Sequence, residues 1–211
     1  DGKYTFTMPD SKVTITPTFS KIEDTKPSKN GFDDVASSDW FADAVKYVAD
    51  KGMMNGTSKT TFGPNDSTTR GMIVTVLYRL ENEPSAAAAS FTDVVSGQYY
   101  TDAVAWANAN GIVTGYGNGK FGPNDVVTRE QLAAILYRYA QYKKYDVSVG
   151  EDTNILSYAD AQSVSAYAIP AMQWAGGAGI VNGSNGKLNP QNNATRAQVA
   201  AILMRFCEMS K

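Results

Sequence analysis

The chain repeats one pattern of residues three times, and this repetition constrains its fold more than any other feature. Residues 32–35, Phe-Asp-Asp-Val, return 59 positions later as Phe-Thr-Asp-Val at residues 91–94, and residues 62–66, Phe-Gly-Pro-Asn-Asp, return unchanged at the same distance as residues 121–125. A third copy begins at residues 158–160, Tyr-Ala-Asp, 67 positions after the second. A unit of this size cannot bury its own apolar face, so neighbouring units must pack together. We therefore expect one pseudo-threefold domain over residues 32–209.

Each copy is predicted to form a helix, a loop and a second helix, which makes the chain mainly α. Apolar residues recur at helical spacing in the first helix, as at Ala44, Val45 and Val48. A glycine follows this helix in every copy, where a left-handed residue commonly ends a helix; these are Gly52, Gly111 and Gly179. The loop is rich in Gly, Asn and Thr, which favours tight turns or a short hairpin.

The second helix of each copy is predicted to begin at a threonine that serves as its N-cap. These threonines are Thr69, Thr128 and Thr195. Gln131 and Gln198 lie three residues on, which favours a capping box in copies two and three, whereas copy one has Met72 there. An arginine follows each threonine. They are Arg70, Arg129 and Arg196.

Two sets of aromatic residues fall at equivalent positions near the first helix. Tyr47, Trp106 and Trp174 share the apolar face of that helix, so we expect them in the core rather than against a ligand. Trp40, Tyr99 and Tyr167 lie earlier, and we expect them to be exposed.

The repeats are assigned to residues 32–82, 91–141 and 157–209. The two connections between them, residues 81–90 and 141–156, are predicted to be surface linkers. Residues 1–19 alternate apolar and polar side chains around a Pro-Asp-Ser turn, which predicts a β-hairpin, and residues 20–31 are predicted to be a linker. Because two strands alone are marginal in water, we interpret the hairpin as the end of an upstream β-rich domain or as packed on the repeats.

Composition excludes several classes of function. The net charge is -2 with no block of like charges, which argues against a nucleic-acid partner. No apolar run is long enough to cross a bilayer. Cys207 is the sole cysteine and histidine is absent, so an internal disulfide, a Cys/His metal site and a serine triad are all excluded. We expect no cofactor.

The ordered landmarks of the three copies resemble the S-layer homology repeat. They are the Phe-x-Asp-Val phrase, a helix followed by Gly-Ile-Val-Thr-Gly-Tyr-Gly-Asn-Gly-Lys-Phe-Gly-Pro-Asn-Asp, and then Thr-Arg-Glu-Gln. The resemblance covers residues 32–206 and implies a three-pronged spindle with a central three-helix bundle and grooves between the prongs. It also implies that the grooves bind an acidic secondary cell-wall polysaccharide, commonly one that carries a pyruvate ketal on N-acetylmannosamine, at the cell wall or S-layer of a bacterium. The protein would thus be extracellular and would tether cargo domains upstream in the same polypeptide.

The family's Thr-Arg-Ala-Glu tetrad appears here with its arginine retained three times and its glutamate never, so the first copy's groove, with Met72, departs furthest. An arginine in the first turn of a helix is slightly unfavourable unless an anion joins it, and a ligand carboxylate would gain a bidentate contact and the free amides of the helix start. The alternative is an ion pair with Asp66 or Asp125. The predicted glycan-binding residues are Arg70, Arg129, Arg196, Gly56, Gly115, Gly183, Trp40, Tyr99, Tyr167 and Tyr116.

Several of these residues also have ordinary structural interpretations. The three glycines serve turns in the simplest case, although the missing side chain would also let a ligand approach. Asp34, Asp93 and Asp160 recur before the first helix, where an aspartate commonly caps a turn.

Other functions fit the pattern less well. A calcium loop fails on spacing, and the third copy replaces the Asn-Asp pair with Gln191 and Asn192. A glycosidase needs two carboxylates with different roles, whereas the acids here recur in step. A module for protein assembly that binds no glycan remains the alternative, and repetition itself favours multivalent binding over catalysis.

Overall fold

A computed structural model describes residues 31–209, and these residues form six α-helices in three helix-loop-helix units. The units pair α1 (Ala42–Asp50) with α2 (Arg70–Leu80), α3 (Thr101–Ala109) with α4 (Arg129–Tyr142), and α5 (Ile169–Gly177) with α6 (Arg196–Met209). The prediction of a mainly α fold with three equivalent repeats is confirmed. The predicted hairpin of residues 1–19 and nearly all of the linker that follows lie outside the described residues.

The ends of the helices follow the predicted signals. Thr128 Oγ1 accepts a hydrogen bond from the N–H of Gln131 while Gln131 Oε1 accepts from the N–H of Thr128, which completes a capping box. Thr195 and Gln198 form the same pair. Past each first helix a glycine has positive φ, at +65° in Gly52, and this left-handed residue ends the helix.

The three second helices begin around one pseudo-threefold axis. The residue two positions before the arginine donates its backbone N–H to the carbonyl of its equivalent in another copy, at 2.9–3.1 Å. Thr68 donates to Ala194, Ala194 donates to Val127, and Val127 donates to Thr68. These three bonds form a closed ring, so the chain's last repeat meets its first directly.

Each first helix packs on the second helix of the preceding repeat. The contacting pairs are α2 with α3, α4 with α5, and α6 with α1. Trp106 and Trp174 lie in the core as predicted, while Tyr47 is half-buried against it. One hydrophobic core therefore spans all three repeats.

Each repeat is closed by an aspartate, over a longer range than the predicted turn. The Asp93 carboxylate accepts hydrogen bonds from the N–H groups of Phe121 and Gly122, both at 2.8 Å. Asp34 and Asp160 accept from the equivalent pairs, residues 62–63 and 188–189, at 2.7 Å. Each aspartate therefore joins the start of its repeat to the end of the loop. The prediction of a local turn cap was wrong, because the bonded residues lie 28–29 positions apart.

The two connections between repeats differ. Residues 85–90 are almost all exposed and have no regular structure, as predicted for a surface linker. In the second connection, Gly150 and Ile155 are buried, and a 3₁₀ turn at Ser148–Gly150 packs on α5. The prediction of a surface linker is wrong there, because Gly150 lacks a side chain and so fits closely against the backbone of Trp174. None of the helices between residues 31 and 209 is long and apolar enough to span a membrane.

Candidate functional site

The arginine at the start of each second helix is buried and bonded to the loop of the following repeat. Arg70, Arg129 and Arg196 are only 7–8% exposed. The Nε of Arg70 donates to the carbonyl of Phe121 at 2.9 Å. The Nε groups of the other two donate to the equivalent carbonyls, those of Leu188 and Phe62. The arginines therefore join neighbouring repeats.

These guanidinium groups have no ion-pair partner among the described residues. Within residues 31–209, no carboxylate oxygen lies within ion-pair distance of Arg70, Arg129 or Arg196, so the alternative of an ion pair with Asp66 or Asp125 is wrong. Burial lowers the pKa of all three arginines, because removal from water penalises the charged form. A carbonyl carries only a partial charge, so each arginine can still gain from an anion.

The backbone amides of the helix starts are not free for a ligand. In α2 the N–H of Arg70 donates to the carbonyl of Asp125 and the N–H of Gly71 to that of Pro123, at 2.9 and 2.8 Å. The next N–H, that of Met72, is taken by the Thr69 cap. The other two copies repeat this pattern. The prediction that a ligand carboxylate would use these amides is therefore wrong, and an anion must be held by side chains.

The three early aromatic residues are exposed, as predicted. Trp40, Tyr99 and Tyr167 are 66%, 56% and 52% exposed. Each lines a cavity whose other walls come from the remaining two repeats. Tyr167 is also fixed in place, because its hydroxyl donates to Oε1 of the buried Glu130 at 3.0 Å.

Three grooves, related by the pseudo-threefold axis, result from this arrangement. Groove 1 has a volume of about 280 Å³ and is lined by Arg70, Thr114, Tyr116, Gln131, Arg138 and Tyr167 among others. Groove 2, of about 690 Å³, is lined by Arg129, Asn182, Ser184, Gln198, Arg205 and Trp40 among others. Groove 3, of about 170 Å³, is lined by Arg196, Met54, Asn55, Met72, Arg79 and Tyr99 among others. Every groove takes residues from all three repeats.

Each groove contains a second arginine that was not predicted as a site residue. These are Arg138 in groove 1, Arg205 in groove 2 and Arg79 in groove 3. They occupy one equivalent position, nine residues after the first arginine. The signal was present in the sequence, because an arginine recurs at this position in all three copies.

The predicted glycines have mainly structural roles. A Cβ on Gly115 would lie 2.5 Å from the carbonyl oxygen of Lys120 and 2.7 Å from the ring of Phe91, and its φ is +69°. A Cβ on Gly183 would clash with Tyr158. Gly115 and Gly183 also line grooves 1 and 2, whereas Gly56 does not line groove 3.

Tyr116 is the remaining predicted residue and lies in groove 1. It is 46% exposed, its hydroxyl donates to Oδ2 of Asp125 at 2.9 Å, and the guanidinium of Arg70 lies 4.7 Å from its ring centroid. Burial and the bond to Asp125 raise the pKa of Tyr116, although Arg70 acts in the opposite direction. The ring therefore covers the arginine from one side and leaves an aromatic face at the groove.

Comparison with known proteins finds one family in each of the three copies. The chain matches the S-layer homology domain family three times, at residues 31–71, 90–133 and 157–200. It is 34% identical over 87% of its length to an endoglucanase of Bacillus sp. (strain KSM-635), where it spans 19% of that enzyme. It is 33% identical over 85% of its length to an amylopullulanase of Thermoanaerobacterium thermosulfurigenes, where it spans 10% of that enzyme. It is 28% identical over 82% of its length to the S-layer protein sap of Bacillus anthracis, where it spans 21%. The chain thus spans only about a tenth to a fifth of these relatives.

Proposed function

Because this chain belongs to the S-layer homology domain family, we propose that its grooves hold an acidic polysaccharide of the bacterial cell wall and so anchor an attached protein. Membership of the family, together with S-layer relatives, makes it a cell-surface protein with an anchoring role. We propose two further points: that the ligand is a wall polysaccharide, and that a pyruvate ketal is its acidic group.

The observation that carries the proposal is a buried guanidinium, with no ion-pair partner among the described residues, beside an exposed aromatic face in every groove. A guanidinium suits a carboxylate, because its N–H groups match the two oxygens. An exposed aromatic ring suits the apolar face of a sugar. A pyruvate ketal provides both partners on one sugar unit, a carboxylate next to a ring face.

Polar side chains that suit sugar hydroxyl and acetamido groups also line the two larger grooves. Gln131 lies in groove 1, and Asn182 and Gln198 lie in groove 2. Amides both donate and accept hydrogen bonds, so they can satisfy such groups without a charge.

We also propose that the chain is not itself an enzyme. No Asp or Glu is among the residues that line grooves 1 to 3, so a pair of carboxylates for glycoside cleavage does not face any of these cavities. Similarity to the endoglucanase and the amylopullulanase covers only a fifth of their length or less, which fits an attached anchor.

Calorimetric titration with purified secondary cell-wall polymer tests the proposal. The native polymer is expected to bind saturably, and polymer from which mild acid has removed ketal-linked pyruvate is expected not to bind. Removing the ligand's carboxylate is a cleaner change than Arg→Ala, because each arginine also joins two repeats. Absence of binding to either polymer would favour a protein-assembly module, and equal binding to both would contradict the role of the carboxylate.

A further inference from the structure

The three grooves differ in how their two arginines are balanced. In groove 1, Arg138 is half-buried and close enough to Arg70 to lower its pKa, after the larger effect of burial. In groove 2, Arg205 is half-buried and acts in the same direction on Arg129. Two like charges that face one cavity are unfavourable unless an anion lies between them.

No acid neutralises these two pairs. In the part of the chain that the structure describes, Arg70, Arg129, Arg138 and Arg205 form no ion pair with Asp or Glu. Arg205 makes one long bond from Nη1 to the carbonyl of Ile180, at 3.4 Å. Asp125 and Asp160 lie further away and offset only part of the charge on Arg70 and Arg129. Both grooves therefore present excess positive charge.

Groove 3 lacks this excess. Arg79 is exposed and lies 4.0 Å from Glu83, from Nε to Oε1, in an i, i+4 pair. Arg196 has two nearby acids, Asp66 and Asp34, whereas Arg70 and Arg129 each have one. The Nη2 of Arg196 donates to the carbonyl of Asn55 at 2.6 Å, and the equivalent bond from Arg129 to Asn182 is longer, at 3.2 Å.

The lining of groove 3 is also less polar. Met72 occupies the position of Gln131 and Gln198, and Met53 and Met54 lie beside it. Groove 3 is the smallest of the three, at about 170 Å³. A thioether cannot replace the hydrogen bonds of a glutamine amide to a sugar.

We propose that grooves 1 and 2 bind the acidic sugar units, that groove 3 does not, and that Arg138 and Arg205 are the second cationic contacts in the two active grooves. This inference rests on the proposed function and specifies where it resides. One chain then holds two acidic units of the same polymer, and the two weak contacts reinforce each other through effective concentration.

The test uses a ligand that can fill only one groove at a time. The probe is the methyl glycoside of N-acetylmannosamine carrying a pyruvate ketal, titrated calorimetrically into the protein. The expected stoichiometry is two per chain. Arg138→Gln and Arg205→Gln should each reduce it to one, and the double variant should abolish binding.

Arg79→Gln is the matched control, since it removes the equivalent charge from groove 3 and should leave two sites. A stoichiometry of one or three, or a loss of a site in Arg79→Gln, would overturn the inference while leaving glycan binding intact. Absence of binding by the unaltered protein to both the probe and the whole polymer would instead overturn the proposed function. Circular dichroism and the thermal midpoint check that each variant is folded.

Trp40 allows the same inference to be tested without substituting an arginine. It lines groove 2 and is 66% exposed, whereas Trp106 and Trp174 are buried. The indole N–H resonance of Trp40 should therefore shift as the probe binds, with those of the two buried tryptophans much less affected. An unmoved Trp40 resonance in a protein that binds the probe would rule out groove 2.

Discussion

Thr68 belongs to the ring of residues around the pseudo-threefold axis, at the position that Val127 and Ala194 occupy in the other copies. It is 1% exposed, and its Oγ1 is buried without a hydrogen-bond partner. An unpaired buried hydroxyl is unfavourable by about 1–3 kcal/mol. We predict that Thr68→Val, nearly isosteric, raises the free energy of unfolding by about 1 kcal/mol, and the thermal midpoint by about 2–4 °C.

Thr75→Val is the control for this prediction. Thr75 is buried to a similar degree, but its Oγ1 donates a hydrogen bond to the carbonyl of Gly71 at 2.8 Å. Replacement of Thr75 by valine therefore removes an existing hydrogen bond. Calorimetry should show a lower midpoint for Thr75→Val and a higher one for Thr68→Val. Equal losses in both variants would mean that Thr68 contributes a favourable interaction after all.

The individual arginines show how much of the site could be predicted from the sequence. Arg70 was predictable, because it follows a helix cap and recurs with the repeat. Its partner Phe121 was not, because the bond joins residues 51 positions apart in different repeats and depends on how those repeats meet. Arg138 was visible in the repeat but was not assigned to the site, because only the folded chain places it opposite Arg70.

Glu130 shows the limit of reasoning from equivalent positions. The other copies have Gly71 and Ala197 there, so the repeat gives this glutamate no counterpart. In the structure it is 2% exposed and accepts bonds from the N–H of Ser165 and the hydroxyl of Tyr167. A residue that departs from its copies can thus orient an aromatic side chain in one groove alone.

At the scale of the elements, the aspartate that closes each repeat also supports the neighbouring arginine. The Asp93 carboxylate accepts a hydrogen bond from the N–H of Phe121, and the carbonyl of Phe121 accepts one from Nε of Arg70. Asp160 and Leu188 support Arg129 in the same way. The position of each buried arginine therefore depends on an acid in the following repeat.

The pKa values of these aspartates predict how stability changes in acid. Burial alone would raise the pKa of the Asp93 and Asp160 carboxyls, but hydrogen bonds from backbone N–H groups outweigh it, and both pKa values lie below the ordinary value. A lowered folded-state pKa contributes stability that is present above the unfolded value, about 3.9, and is lost as pH falls through the folded value. We predict a fall in the urea midpoint below about pH 4.

Asp93→Asn isolates this contribution. An asparagine has one acceptor oxygen for the two N–H donors, so the variant should lose about 2 kcal/mol at pH 7. The difference in unfolding free energy between Asp93→Asn and the unaltered protein should narrow at pH 3, because the carboxyl of Asp93 is mostly protonated in the unfolded state there and the folded state binds that proton less readily. Asp102→Asn, at an exposed position in the first turn of α3, should reproduce neither effect. A stability difference between Asp93→Asn and the unaltered protein that stays constant between pH 7 and pH 3 would contradict the role given to the ionised Asp93 carboxylate.

At the scale of the whole molecule, the ring through Thr68, Val127 and Ala194 makes the repeats depend on one another. We predict that residues 1–144, which lack the third repeat, do not unfold cooperatively. In that fragment α4 loses its contact with α5, α1 loses its contact with α6, and two of the three ring bonds disappear. Scanning calorimetry of the fragment should show no sharp transition, whereas the complete chain should show one.

The fragment should also fail to bind the wall polymer. A sharp transition at the midpoint of the complete chain, or binding of similar affinity, would show that the repeats are independent modules. The three repeats and their shared core were predictable from the sequence, because no copy could bury its own apolar face. The pairing of each first helix with the preceding repeat was not, because helical periodicity shows which face is apolar but not which copy covers it.

Each groove draws on all three repeats, and this has a consequence for how the protein is made. Arg196 reaches the carbonyl of Phe62 across 134 positions of sequence, and the third repeat also supplies Tyr167 to groove 1 and most of the wall of groove 2. A polypeptide still emerging from the ribosome therefore has no finished groove until α6 has been synthesised. Premature termination, or a protease that removes the third repeat, would leave no groove complete. If the grooves bind the wall polymer as proposed, we expect the shortened product to be released into the medium instead of being held less tightly.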